Sequence, residues 1–137
     1  MVSTMAVMAA NRQMDALNLE EAANLMQPLM EDKHVLGLYR QLMTFDMALI
    51  ELVNGQPGDM VEKLASKELQ QFAKAMKNFP SVLRTQYAVA LLKDKDEKKA
   101  ATLRTAFDKM AAQYPHESEI AGERELMALV EQKAKEA

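Results

Sequence analysis

The sequence predicts an all-α fold, and three features of its 137 residues support that prediction. Glycine and proline, which interrupt regular structure, occur only four times each, so the elements should be long and their connections short. The strong helix formers Ala, Leu, Met, Glu, Lys and Gln are abundant. No stretch alternates polar and apolar residues in the Val-, Ile- and Thr-rich manner of a strand.

Apolar residues recur at helical spacing in seven segments, which we predict to be helices. They span about 4–17, 19–32, 34–54, 60–78, 80 to the KDKDE turn, 96–113 and 117–135. The third is the longest and carries apolar residues around a wide arc, so it should have neighbours on more than one side. We therefore predict that it is the central helix of the domain.

Start and stop signals define several of these boundaries. Pro28 lies inside the second helix and should kink it or end it early, because proline removes a helix hydrogen bond. The Asn-Gly pair at Gly55 should end the third helix, and Asp59 is placed to cap the fourth. Ser66 is expected to divide the fourth helix into two pieces. Pro80 suits the first turn of the fifth helix.

The seven helices fall into pairs, because short connections favour antiparallel neighbours. The predicted hairpins cover about residues 4–32, 34–78 and 80–114, and a capping helix covers about 117–135. Together they form a single domain over residues 1–137, since the length corresponds to one domain.

The segment 80–115 fits part of the tetratricopeptide pattern, in which a small residue allows two helices to approach closely. With Arg84 at the first position, four later positions receive suitable apolar or small residues: Tyr87, Ala88, Leu91 and Ala100. Phe107 and Pro115 match the last two positions only after a shift of three residues, so the second helix should be longer than the consensus. Arg84 itself stands where the pattern has an aromatic residue.

The chain therefore resembles a divergent tetratricopeptide-like helical-repeat domain over about residues 4–115. The stretch from KNFPSVLRTQYAVALL to SEIAGERELM is also similar to the C-terminal part of uncharacterised bacterial proteins, some of which carry membrane segments ahead of such a domain. The resemblance implies that the hairpins stack as a short right-handed superhelix, capped by the helix at about 117–135. It supplies no activity for this chain.

No group of residues has the spacing of a catalytic or metal site, so we predict a non-enzyme without a cofactor. His34 and His116 have no second histidine one helical turn away and no HExxH pattern, and solvated positions suit them better than metal ligation. The serines lack the glycines of a nucleophile elbow. The absence of cysteine excludes disulfides and thiolate metal sites.

The charge balance argues against a nucleic-acid partner, because the net charge is −3 and such binders are usually basic. Lysines do recur at helical spacing in the fourth predicted helix: Lys63, Lys67, Lys74 and Lys77. Glutamates interrupt this stripe, so a solvated face is the preferred interpretation.

Helical-repeat domains present a curved inner face that takes up a peptide or a helix. We therefore predict a non-enzymatic protein–protein interaction module that binds a protein or peptide partner on its concave face. In the repeat register, six residues of the third and fifth helices belong to this face: Arg40, Thr44, Arg84, Thr85, Val89 and Leu92.

The alternative is a soluble regulatory or structural domain of a larger membrane-anchored protein. No stretch approaches the roughly 18 to 20 apolar residues of a membrane helix, and the start lacks the basic region of a signal peptide. We predict a cytoplasmic location and leave open a homodimer, a membrane tether outside this chain and a small-molecule site between helices. The 12 methionines are expected to fill gaps in the core rather than to form a binding face.

Overall fold

The structure is a computed structural model, and it describes residues 2–136. These residues form eight α-helices and no strand, so the all-α prediction is confirmed. The helices are α1 (Val2–Asp15), α2 (Leu19–Met30), α3 (Gly37–Val53), α4 (Asp59–Lys63), α5 (Lys67–Ala75), α6 (Pro80–Ala88), α7 (Glu97–Ala111) and α8 (Ala121–Glu136). A π-helical segment (Val89–Lys93) extends α6, and a 3-10 turn (Glu117–Glu119) precedes α8. None of the helices in this described range has both the length and the hydrophobicity that crossing a membrane requires.

Several boundary signals act as predicted. Ser66 separates α4 from α5, and its hydroxyl oxygen caps α5 by accepting a hydrogen bond from a backbone N–H at 3.2 Å. Gly55 ends α3 with a φ of +71°, a left-handed conformation that glycine adopts without strain. Pro80 is the first residue of α6, where its missing N–H removes no helix hydrogen bond. α2 ends two residues after Pro28.

One predicted helix start and one predicted helix cap are wrong. α3 begins at Gly37 rather than at His34, because the Asp32 carboxylate accepts the His34 N–H at 2.8 Å and favours a turn there. Asp59 does not cap α4, since the Glu51 carboxylate takes that role. It accepts hydrogen bonds of 2.9, 3.2 and 3.0 Å from three backbone N–H groups: Gly58, Met60 and Val61.

The core surrounds α3, which contacts α2, α4 and α6, as its wide apolar arc predicts. α1 packs on α2 and α6 packs on α7 as helical hairpins. Large apolar side chains of several helices are almost fully enclosed in the core: Met26, Met43, Phe45, Leu49, Phe107, Ile120, Leu126 and Met127. Methionine thus fills interior space here, although Met5 and Met8 of α1 are exposed.

The last helix packs against the first. α8 contacts α1, α3 and α6, so the first and last helices of the described chain lie side by side. In a solenoid each repeat contacts only its neighbours, and a contact between the first and last helices is not expected. The right-handed superhelix therefore stays a prediction.

Candidate functional site

Three of the six predicted partner contacts lie in the interior. Thr44 is 5% exposed, Arg84 is 1% exposed and Thr85 is fully buried, so none of them can touch a partner in this structure. Their assignment to an inner face is wrong, because α3, α6 and α8 enclose this part of the domain. The other three are half-buried: Arg40 lies on α3, and Val89 and Leu92 lie on the π-helical segment.

Arg84 is the centre of a buried ionic network. Its Nη1 donates to both carboxylate oxygens of Glu123 on α8, at 2.9 and 3.2 Å. Its Nη2 donates to the carboxylate of Asp46 on α3 and, at 3.3 Å, to the Thr85 hydroxyl. That hydroxyl in turn donates to the Phe45 carbonyl at 3.0 Å. The network ties α3, α6 and α8 together at a place where an unpaired guanidinium would be very costly.

A third carboxyl group, Asp15 at the end of α1, lies beside this network. With Asp46, Arg84 and Glu123 it lines a small cavity of about 210 Å³. A Cβ atom at Gly122 would overlap the Asp15 side chain, so the glycine lets α1 approach the first turn of α8. One guanidinium thus faces three carboxyl groups. No three His, Asp or Glu side chains within residues 2–136 are arranged to hold a metal ion.

Burial and crowding raise the pKa of all three carboxyl groups. Loss of hydration is the largest cause for Asp46, Glu123 and Asp15, and the charge of Arg84 opposes it in each case. Neighbouring carboxylates raise the pKa of Glu123 further. Burial would lower the pKa of Arg84, but Glu123 and Asp46 outweigh it and hold that pKa above its ordinary value. The arginine therefore stays charged, and it faces carboxyl groups whose neutral forms are favoured by burial.

We expect the free energy of unfolding to fall as pH rises above about 4, the ordinary pKa of a carboxyl group. The carboxyl pKa values are higher in the folded chain than in the unfolded one, so folding takes up protons and stability is lost as pH rises through the folded values. Each pKa unit of difference corresponds to about 1.4 kcal/mol. Urea unfolding at a series of pH values measures the slope.

The matched variant for this test is Glu123→Gln. The amide keeps an oxygen that accepts from Arg84, while it removes one titrating group and leaves Arg84 balanced by Asp46. Its unfolding free energy should therefore depend less on pH than that of the wild type. A wild-type stability that stays level or increases across this pH window would contradict the assignment of raised pKa values.

A separate groove of about 570 Å³ lies between α4–α5 and the π-helical segment with the start of α7. Its floor is apolar and comes from six residues: Phe45, Val61, Leu64, Ala73, Val89 and Leu103. Phe45 is buried and packs against Phe72 of α5, with the ring centroids 6.0 Å apart and the rings tilted by 34°. The volume lies in the usual range of ligand sites. Val89 is the one predicted contact residue in its lining.

Four exposed lysines surround this apolar floor: Lys74, Lys77, Lys93 and Lys99. We call the site the lysine-rimmed groove. Lys93 lies 3.6 Å from Asp94, the single carboxylate in the lining. Among the described residues, Lys74, Lys77 and Lys99 form no ion pair. The groove is therefore locally positive in a chain whose net charge is −3.

The π-helical segment forms part of one side of the groove. The Asp94 N–H donates to the Val89 carbonyl five residues back, at 2.9 Å. Lys95 follows with a φ of +54°, a left-handed conformation that is strained for a residue with a Cβ atom. π-helical turns inside α-helices and strained residues both occur frequently at functional sites. The π-helical segment therefore supports a functional role for the groove, and this support does not depend on the charge of the lysines.

Sequence reasoning found only part of this groove. Lys74 and Lys77 belong to the basic stripe for which a solvated face was preferred. Lys93 belongs to the KDKDE turn, and Lys99 lies in the helix that follows it. The apolar floor was not visible, because its residues come from helices far apart in the chain. The density of lysine in KDKDEKK, beside an apolar helix end, was the available signal.

No relative supplies a function for either site. Comparison of the chain with protein-family models, with curated proteins and with solved structures gives no match. The resemblance to tetratricopeptide-like domains therefore stays a prediction. The function has to be inferred from the geometry of the groove and of the network.

Proposed function

We propose that the chain is a non-enzymatic interaction module that holds a segment of another protein in the lysine-rimmed groove. The observation that carries this proposal is the apolar floor enclosed by four lysines in a chain of net negative charge. Apolar surface supplies most of the favourable free energy when a partner is buried. Charge around it speeds and orients the encounter.

The lining supports a binding role over catalysis. Its polar side chains are four lysines, two glutamines and one aspartate, and none of them is a histidine, serine or cysteine. Lys93 does lie beside Asp94, but both side chains are exposed, so nothing removes water from the lysine and activates it as covalent catalysis would need. The proposal keeps the predicted class of function but moves the binding surface from the concave face to this groove. It is compatible with a tetratricopeptide-like origin of the α6–α7 hairpin.

Blocking the groove should abolish the binding of peptides selected on the protein. The chain contains no cysteine, so Ala65→Cys, an exposed position in the lining, can be labelled alone with a bulky maleimide. Peptides enriched from a random displayed library on the wild type would be synthesised, and their affinity measured by fluorescence anisotropy. We expect the label to weaken binding at least about tenfold, which is about 1.4 kcal/mol.

Ala101→Cys gives the matched control, because it is also exposed but lies on α7 outside the lining. The same label there should leave the affinity nearly unchanged. The proposed function is wrong if the library yields no specific peptide. It is also wrong if the labels at positions 65 and 101 have equal effects on binding.

A further inference from the structure

We propose that the occupant of the lysine-rimmed groove is an acidic amphipathic helix, an inference that rests on the proposed function of the groove. Lys74 and Lys77 stand on the α5 side, whereas Lys93 and Lys99 stand on the side of the π-helical segment and α7. The floor between them is apolar. An occupant that is complementary to the two sets of lysines and to the apolar floor has an apolar stripe with carboxylates along both edges. A helix with acidic flanks has this pattern.

The groove offers little hydrogen bonding to the backbone of a bound peptide. Most of its lining residues belong to helices, whose own N–H and C=O groups are paired internally, and residues 2–136 contain no strand with a free edge. The neutral polar side chains in the lining are Gln70 and Gln86. An extended peptide would leave unpaired backbone groups over an apolar floor, which is unfavourable. A helix satisfies its own backbone and needs only side-chain contacts.

A ligand with a single anionic group matches the groove less well. The carboxylate of a fatty acid would meet the lysines of one side, and the lysines of the other side would keep no counter-charge. Asp94 lies beside Lys93 and partly neutralises only that lysine. The two separate sets of lysines therefore favour an occupant with several spaced carboxylates.

Three synthetic peptides of about 18 residues test the inference, since much shorter helices are marginal in water. One has a leucine stripe flanked by glutamate on both edges, the second has glutamine in place of every glutamate, and the third has central prolines that break the helix. We expect the acidic helix to bind at least about tenfold more tightly than either of the others, by fluorescence anisotropy. Its advantage over the glutamine peptide should shrink in high salt.

Variants of the protein then place the effect in the groove. Lys77→Glu combined with Lys99→Glu changes one lysine on each side and should weaken binding of the acidic helix at least about tenfold. Lys98→Glu combined with Lys109→Glu makes the same change of net charge at exposed positions outside the lining. This control pair should change the affinity by less than about twofold.

The failure of this inference can be told apart from failure of the proposed function. Equal affinity of the acidic, glutamine and proline peptides overturns the acidic-helix inference, as does tighter binding of oleate than of the acidic helix. Equal weakening by the two lysine pairs also overturns it, because the attraction would then be non-specific. In a third outcome, the label at position 65 blocks the binding of library peptides, but these peptides are neutral, basic or non-helical. The proposed function of the groove then stands, and the acidic helix is excluded as its occupant.

Discussion

Replacing Arg84 with methionine should lower the free energy of unfolding by about 3 to 5 kcal/mol. Methionine fills a similar volume, so the loss comes mainly from the two carboxylates that lose their counter-charge. Asp46 and Glu123 have side chains only 6% and 16% exposed, so water can replace the guanidinium only in part. Urea unfolding of the variant and the wild type at neutral pH gives the difference.

Arg104 provides the control for this prediction. It pairs with Asp108 and Glu131, but its side chain is 38% exposed, and exposed ion pairs contribute at most about 1 kcal/mol. Arg104→Met should therefore cost much less than Arg84→Met. Losses of equal size in the two variants would contradict the buried network.

A rescue experiment keeps the prediction testable if Arg84→Met does not fold. Adding Asp46→Leu and Glu123→Leu to Arg84→Met removes all three charges and leaves an apolar cluster. Apolar replacement of a complete buried ion network is often neutral or stabilising. We therefore expect the triple variant to fold and to recover most of the lost stability, although the single variant is impaired.

The all-α fold was predictable because its signals are local. Ser66, Gly55 and Pro80 act within one turn of the chain, so their effect can be read from neighbouring residues. We placed the start of α3 too early because apolar spacing does not show the turn at residues 32–34. In that turn the His34 N–H donates to the Asp32 carboxylate. The cap of α4 was missed because its acceptor, Glu51, belongs to the preceding helix.

The burial of Arg84 was missed although the sequence contained a signal. Arg84 aligned with a large aromatic position of the repeat pattern, and such positions are interior. A charged residue is rarely buried unless it is paired, so exposure was the better expectation from the residue alone. Its partners lie 38 and 39 residues away, and no local pattern connects them.

The groove combines predictable and unpredictable parts. The lysines could be recognised in two separate stretches of the sequence. Only the fold brings α5 and α7 to the two sides of one apolar floor. The π-helical turn was not predictable, because the apolar spacing of a helix does not show where one extra residue enters a turn. From the sequence we therefore predicted a binding protein, but the fold buries three of the six residues that we assigned to its surface.

Phe107→Ala should lower the free energy of unfolding by about 3 to 5 kcal/mol, because the cavity it leaves cannot fully collapse. Phe107 lies on α7, is 1% exposed and packs in the core with Tyr87 and Leu103. Thr105→Ala is the control, since Thr105 is exposed on the same helix and bonds only within it. Equilibrium urea unfolding of both variants measures the two costs.

The pH dependence separates this loss from that of the ionic network. Phe107 carries no titrating group, so Phe107→Ala should lower the stability by a similar amount at pH 5 and at pH 8. Arg84→Met should change the slope itself, because the pKa values of Asp46 and Glu123 lose the charge that opposes their rise. If Phe107→Ala costs no more than Thr105→Ala, the α6–α7 hairpin is not packed as described. If it costs about 3 to 5 kcal/mol but also removes the pH slope, the cavity disturbs the ionic network as well as the core.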